Sequence, residues 1–127
     1  MKVDINSAIL CDLIRIENNG KFIAIGIYSS SVVFTSFPVI AQFSLLTQVR
    51  ADSIGVQKIE FRVMVSGEEN QRLIGDFEAA KVSDEWIPVQ LQPIQFQVPA
   101  ILSVEHLRAN NTWAEFFRIN VERPPAS

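Results

Sequence analysis

Apolar and polar residues alternate with a period of two along most of this chain. In "VQKIEFRVMV", Ile59, Phe61, Val63 and Val65 fall on one face and Lys58, Glu60, Arg62 and Met64 on the other. That is the alternation of a half-buried strand. "WAEFFRINVE" sets Trp113, Phe117, Ile119 and Val121 in register around Glu115. "FIAIGIY" is apolar at both parities, which predicts a central strand covered above and below. Turn formers separate the runs at Asn18-Asn19-Gly20, Ser29-Ser30-Ser31, Ala51-Asp52-Ser53, Gly67-Glu68-Glu69-Asn70, Val82-Ser83-Asp84-Glu85 and Ala109-Asn110-Asn111. The predicted strands lie near residues 7–17, 21–28, 31–36, 42–50, 56–66, 71–81, 87–97, 100–108 and 112–122. Short strands at this spacing predict an all-β fold, a single antiparallel β-sandwich of about 8–9 strands with residues 1–127 as one domain.

Two stretches break the rhythm. In "WIPVQLQPIQFQVP" the apolar positions run Val89, Leu91, then Ile94, Phe96 and Val98, so the parity changes at Gln92-Pro93. A strand changes face only at a bulge or a break, and proline removes a ladder donor there. With Pro88, Pro93 and Pro99 the segment predicts an edge strand, or one that crosses between sheets. Its outward row of Gln90, Gln92, Gln95 and Gln97 is neutral, and no charge occurs from Trp86 through Val104. Lacking the charges that protect edges, this row is a candidate interaction edge. "SVEHLRANN" reads as strand, with one short helical turn near 102–109 as the alternative.

The composition is globular: 48% hydrophobic and 20% charged residues in 127, with a net charge of −3. A mildly acidic chain argues against nucleic acid or an anionic membrane as partner. Cys11 is the only cysteine, which excludes an intrachain disulfide and a zinc–thiolate cluster. Asp4, Asp12 and Glu17 interrupt the N-terminal apolar stretch, and no uncharged run reaches the roughly 18 residues of a membrane helix. The expectation is a cytoplasmic protein with no cofactor.

Candidate chemistry is sparse. Cys11 as a nucleophile would need His106, the only histidine, yet its neighbour Asp12 raises a thiol pKa. Ser29, Ser30, Ser31 and Ser103 lie in no nucleophile-elbow context. Asp12 and Glu17 could pair for acid–base work. The structural reading is preferred, with Asp12 accepting backbone amides or pairing with a cross-strand base such as Lys21. On a continuous pleat Arg15 and Glu17 share a face with Cys11, and Asp12 points the other way. Glu68, Glu69, Asp84 and Glu85 could ligate a cation from loops, but match no calcium-loop spacing. Gly20-Lys21 and Gly26 build no phosphate loop. Glu60 between Lys58 and Arg62 disfavours a single-stranded nucleic acid platform.

The stretch Cys11, Asp12, Arg15, Glu17, Gly20, Lys21, Gly26, Tyr28, Phe37 and Pro38 resembles the opening of an uncharacterised family of small bacterial and phage-associated domains. In that pattern Cys-Asp-x-x-Arg-x-Glu precedes Gly-Lys, a Gly-x-Tyr strand and Phe-Pro. The resemblance implies a β-sandwich and a structural hairpin at the opening, and, its members being of unknown function, supplies no activity. The leading expectation is therefore a non-enzymatic module that binds a protein partner, or itself, through a sheet face or edge strand. The alternative is a small-molecule or glycan-binding sandwich using the Gln row with Trp86 or Trp113. A Cys11- or His106-dependent hydrolase is the remote third.

Overall fold

In the computed structural model, residues 3–80, 82 and 84–126 are described. The longest antiparallel ladder joins β7 (Gly55–Val65) to β8 (Glu68–Ala79) across a Ser66-Gly67 turn in which both residues have positive φ. β7 continues the sheet through β11 (Ala100–Leu107) and β12 (Trp113–Glu122), and β4 (Ser31–Val33) adds in parallel to β12. This five-stranded sheet has the order β4-β12-β11-β7-β8. A second sheet, β1-β6-β9, is built from β1 (Val3–Cys11), β6 (Ser44–Ala51) and β9 (Asp84–Gln90). Two small ribbons complete the fold: β5 (Val39–Ala41) with β10 (Ile94–Phe96), and β2 (Leu13–Ile16) with β3 (Phe22–Ile25). The architecture is all-β, with antiparallel sheets in two layers, no closed barrel and no helix among the described residues.

The alternation read from the sequence builds the shared core. Phe61 and Val63 of β7, Leu102 and Val104 of β11, and Ile119 and Val121 of β12 meet Leu10 of β1 and Leu45 of β6. Phe43 and Phe96, with ring centroids 6.4 Å apart, fill the end of this core nearest β10, and Tyr28 stands edge-on to Phe43. Burial of such apolar surface at roughly 25 cal/mol per Å² is the main source of stability.

Several expected strands divide, each for a local reason. The strand expected at 87–97 is β9 followed by β10, whereas that expected at 42–50 is β6 alone, and β5 falls at 39–41, where the sequence predicts no strand. The pairings Ser44↔Gln90 and Ala41↔Ile94 leave residues 91–93 opposite 42–43, an extra residue on the proline side. That bulge turns Leu91, Ile94 and Phe96 all inward and accounts for the parity change at Gln92-Pro93. Val98, expected inside, is 61% exposed because the strand ends at Phe96. In β12 a bulge at Phe116, between Glu115 and Phe117, corrects the register expected for Trp113. Phe117, Ile119 and Val121 face the core, whereas Trp113 lies beneath the guanidinium groups of Arg62 and Arg72. Residues 100–107 are strand, followed by a turn closed by Arg108 and Asn111, so the helical turn near 102–109 is absent. Asp84 and Glu85 begin β9 rather than sit in a loop, and Glu68 and Glu69 begin β8. The expected end of strand 71–81 at Lys81, and Ser83 of the expected turn, lie outside the described residues.

The strand expected at 7–17 breaks at Asp12, where the chain exchanges β6 for β3 as its partner. Cys11 pairs with Ser44, but Leu13 pairs with Ile25. The Asp12 amide donates to the carbonyls of Ile25 (3.0 Å) and Gly26 (3.2 Å), and the Tyr28 amide to Leu10 (3.0 Å). The Tyr28 hydroxyl donates to Asp12 Oδ1. Gly26 has φ +72°, and a β-carbon there would stand 2.9 Å from Asp12 Cγ. Backbone conformation and carboxylate therefore both demand glycine.

Gly26→Ala is expected to cost about 1–3 kcal/mol, combining left-handed strain with displacement of the carboxylate. For a chain of this size that lowers the midpoint of thermal unfolding by roughly 4 °C per kcal/mol. An unchanged melt would show that Asp12 and Gly26 are not coupled.

Candidate interaction surface

The structure distributes the motif of the first hairpin over distinct tasks. Cys11 is fully buried in β1, its Sγ 3.6 Å from the Ser44 carbonyl. Burial pushes its thiol pKa up, and the neighbouring Asp12 charge adds to that, against backbone hydrogen bonds that lower it. Asp12 is exposed at its carboxylate edge and bonded to Tyr28 rather than to Lys21 or to an amide. Burial, then the Asp12 hydrogen bond and charge, raise the Tyr28 phenol to about 12. Arg15 stands opposite Ile23, and because the pleat is broken at Asp12 it does not continue the face of Cys11. Glu17 and Lys21 close the hairpin through their backbones, the Glu17 amide donating to the Lys21 carbonyl at 2.8 Å, with Gly20 at φ +83° in the turn.

His106 is placed far from any pairing with Cys11. It lies on β11 opposite Phe61, in the sheet that does not contain β1, and packs edge-on to Phe116 at 5.9 Å between centroids. Only 5% exposed, it has its pKa lowered, first by burial and then by Arg108, with Asp4 opposing. The serine candidates lie in turns or at strand positions remote from it, save Ser103 three residues away on the same strand. Among the described residues no group of three or more His, Cys, Asp or Glu could hold a metal ion. Glu69 bonds Arg72 at 2.6 Å, and Asp84 accepts from Asn6 at 2.8 Å and Arg50 at 3.4 Å.

What the structure leaves on the surface is apolar ribbon. "FIAIGIY" is not a covered central strand: β3 pairs only with β2. Leu13, Ile16, Ile23, Ile25 and Ile27 are 40–66% exposed. Directly opposed residues share a face in an antiparallel ribbon. Leu13, Arg15, Ile23 and Ile25 therefore form one side, and Ile14, Ile16, Phe22 and Ala24 the other. The second side leans over β6 and β9, where Phe22, Leu46, Glu85 and Trp86 border a shared cleft. The first side faces away from the sheets. A run apolar at both parities reads as a core strand, so sequence reasoning could not see that its outward side, with Ile23 and Ile25, has no cover.

The Gln row behaves unevenly. Gln90 bonds its own chain, Nε2 to the Phe43 carbonyl at 3.2 Å and Oε1 accepting from Ser44 Oγ at 3.2 Å. The Gln92 backbone is clasped by the side chain of Gln71, at 2.8 and 3.1 Å. Gln95 and Gln97 are exposed. β9 and β8 are the outer strands of their respective sheets. Between them runs a groove of about 300 Å³ over Ile59, Phe61, Leu73, Phe77, Ile87 and Val89. Among the described residues no helix is long and apolar enough to cross a membrane.

Two measurements follow. Cys11 should react with a thiol reagent only on unfolding, and labelling of the native protein at the rate of the unfolded chain would contradict its burial. In the fold His106 takes up its proton at a lower pH than the ordinary value of 6.5 that holds when it is unfolded. Stability should therefore be complete above that pH and decline as pH falls below it, until the folded-state value is passed. Denaturant midpoints of the wild type and of His106→Phe, compared across this range, check the sign: the wild type should lose more on the acid side.

Comparison with known proteins places this geometry in a family but not in a pathway. No curated protein matches the chain. A family model described as a family of unknown function, DUF6941, matches residues 6–123, which span the ribbon, both sheets and the groove. By that match the chain belongs to DUF6941, a family of unknown function.

Proposed function

We propose that this chain is a non-enzymatic interaction module whose β2–β3 ribbon docks a protein. The observation that carries the reading is the 40–48% exposure of Leu13, Ile23 and Ile25 on the outward side of a ribbon with no third strand. A two-stranded ribbon is at best marginally stable in water by itself. Contiguous exposed apolar surface on a soluble domain marks an interaction site. The hydrolase reading gains no support, since Cys11 is buried and raised in pKa and His106 lies in the other sheet. Of the two tryptophans of the glycan reading, Trp113 carries Arg62 and Arg72 over its ring at 4.3 and 5.0 Å, and Trp86 is 39% exposed. The exposed Gln95 and Gln97 edge, on the separate β5–β10 ribbon, is a second candidate surface. The bacterial and phage-associated setting implied by the Cys11-to-Pro38 motif, and the cytoplasmic setting expected from the composition of the chain, belong to this proposal as well.

A photoreactive benzophenone residue placed at Ile25, in cells making the chain at its natural level, should form a protein adduct on irradiation. The same residue at Glu115, on the far side of the five-stranded sheet, should not. Absence of any protein adduct at Ile25, or equal adducts at both positions, overturns the reading.

A further inference from the structure

We infer that the cleft beneath the β2–β3 ribbon binds a neutral saccharide, with one sugar ring stacked on Trp86. This site is independent of the interaction reading, which uses the outward side of the ribbon, whereas the cleft lies against its other side. Gly20, Lys21 and Phe22 of the ribbon border it from above, and Leu46, Glu85 and Trp86 of the second sheet border it from below. Its volume is about 610 Å³, within the roughly 300–1,000 Å³ of small-molecule clefts. Leu46 is buried, Phe22 is half-buried, and Trp86 on the outer strand β9 keeps 39% of its surface exposed. Unlike Trp113, Trp86 has no guanidinium and no aromatic ring over it among the described residues. The interlock of Asp12, Gly26 and Tyr28 at the base of the ribbon fixes the wall that faces this indole.

The polar groups at the rim select the ligand. Lys21 and Glu85 border the same cleft, and among the described residues neither side chain has an ion-pair or hydrogen-bond partner. Their opposite signs cancel, so the cleft has no excess charge with which to hold a phosphate. A wholly apolar ligand would strip water from an ammonium and a carboxylate and return no hydrogen bond. Gln48 stands opposite Trp86 on the same face, its Oε1 accepting from Ser7 Oγ at 3.5 Å and its amide nitrogen without a partner among the described residues. That neutral donor suits hydroxyl oxygens and not a further cation. What fits is an uncharged ligand with one apolar face and hydroxyls around its edge. A pyranose has this form: its C–H bonds present a flat apolar face to an indole. Each hydroxyl can donate to the Glu85 carboxylate or accept from the Lys21 ammonium.

Trp86 is also the reporter. The chain holds two tryptophans, so Trp86 is the one indole left in a Trp113→Phe protein. Its fluorescence, titrated with a panel of neutral methyl hexosides and disaccharides, should shift to the blue and saturate for at least one of them. If Trp113→Phe lowers the melting temperature, titration calorimetry of the wild type reads the panel instead. Lys21→Ala should weaken the bound sugar about tenfold at an unchanged melt, because Lys21 serves the hairpin through its backbone alone. Trp86→Ala, followed by calorimetry, should abolish binding, and Trp86→Leu, which keeps apolar bulk without a flat ring, replaces it if the melt falls. A panel in which no glycoside saturates overturns the inference. So does a sugar that binds the Trp86 or Lys21 variant as it binds the wild type, or a cleft that takes a free amino acid or a nucleotide in place of every sugar. The cross-link at Ile25 is read separately, so failure here leaves the interaction reading standing.

Discussion

The arrangement turns on Asp12. At this residue the chain stops pairing with β6 and starts pairing with β3, and its amide serves two carbonyls at once. The carboxylate receives the Tyr28 hydroxyl and occupies the space that a side chain at residue 26 would need. Tyr28 in turn carries the constraint inward, standing edge-on to Phe43 at 5.6 Å in the aromatic end of the core. A surface turn is thus anchored to buried rings through one carboxylate. Without that anchor the ribbon would be an appendage held by its own ladder, too little to define a direction.

The remaining irregularities serve the same division between a closed core and open margins. The bulge at 91–93 keeps Leu91, Ile94 and Phe96 inside while the strand bends past the end of the sandwich. The bulge at Phe116 sends Phe116 toward His106 and Phe61, and Trp113 toward Arg62 and Arg72. The outer face of the five-stranded sheet is consequently closed by charge and cation–π contacts, including the pair of Arg62 with Glu105. Arg118 and Glu115, 2.9 Å apart, extend it. Such pairs contribute little stability where they are exposed, and they share that face with the exposed apolar residues Val56 and Ile74.

How far this was legible in the chain depends on the range of the interaction. Strict alternation at Ile59, Phe61, Val63 and Val65 announced β7 correctly, because burial of one face is a property of the strand's own pattern. The parity break at Gln92-Pro93 announced a bulge for the same reason. "FIAIGIY" misled, because an apolar run specifies a wish for cover and not whether cover exists. Trp113 misled because one inserted residue at Phe116 reverses every face beyond it. The partnership of Asp12, Gly26 and Tyr28 was visible as residue types but not as an interlock, since it needs the hairpin to bring them together. The groove left no local sign: Gly75 borders it only once β8 is known to be an outer strand.

That last point bears on what the open margins are for. A protein that merely needed to protect β8 and β9 would place lysines or a short strand there, yet β8 runs twelve residues and its second half holds only carboxylates. Between the two edges the half-buried Ile59 and Leu73 border the groove, with Phe61 buried beneath them. The ribbon, conversely, exposes apolar side chains that cost solubility and contribute nothing to its own core. An apolar surface held outward at that cost to an isolated domain is what makes the ribbon, rather than the sheet edges, the part of the fold to which the interaction reading attaches.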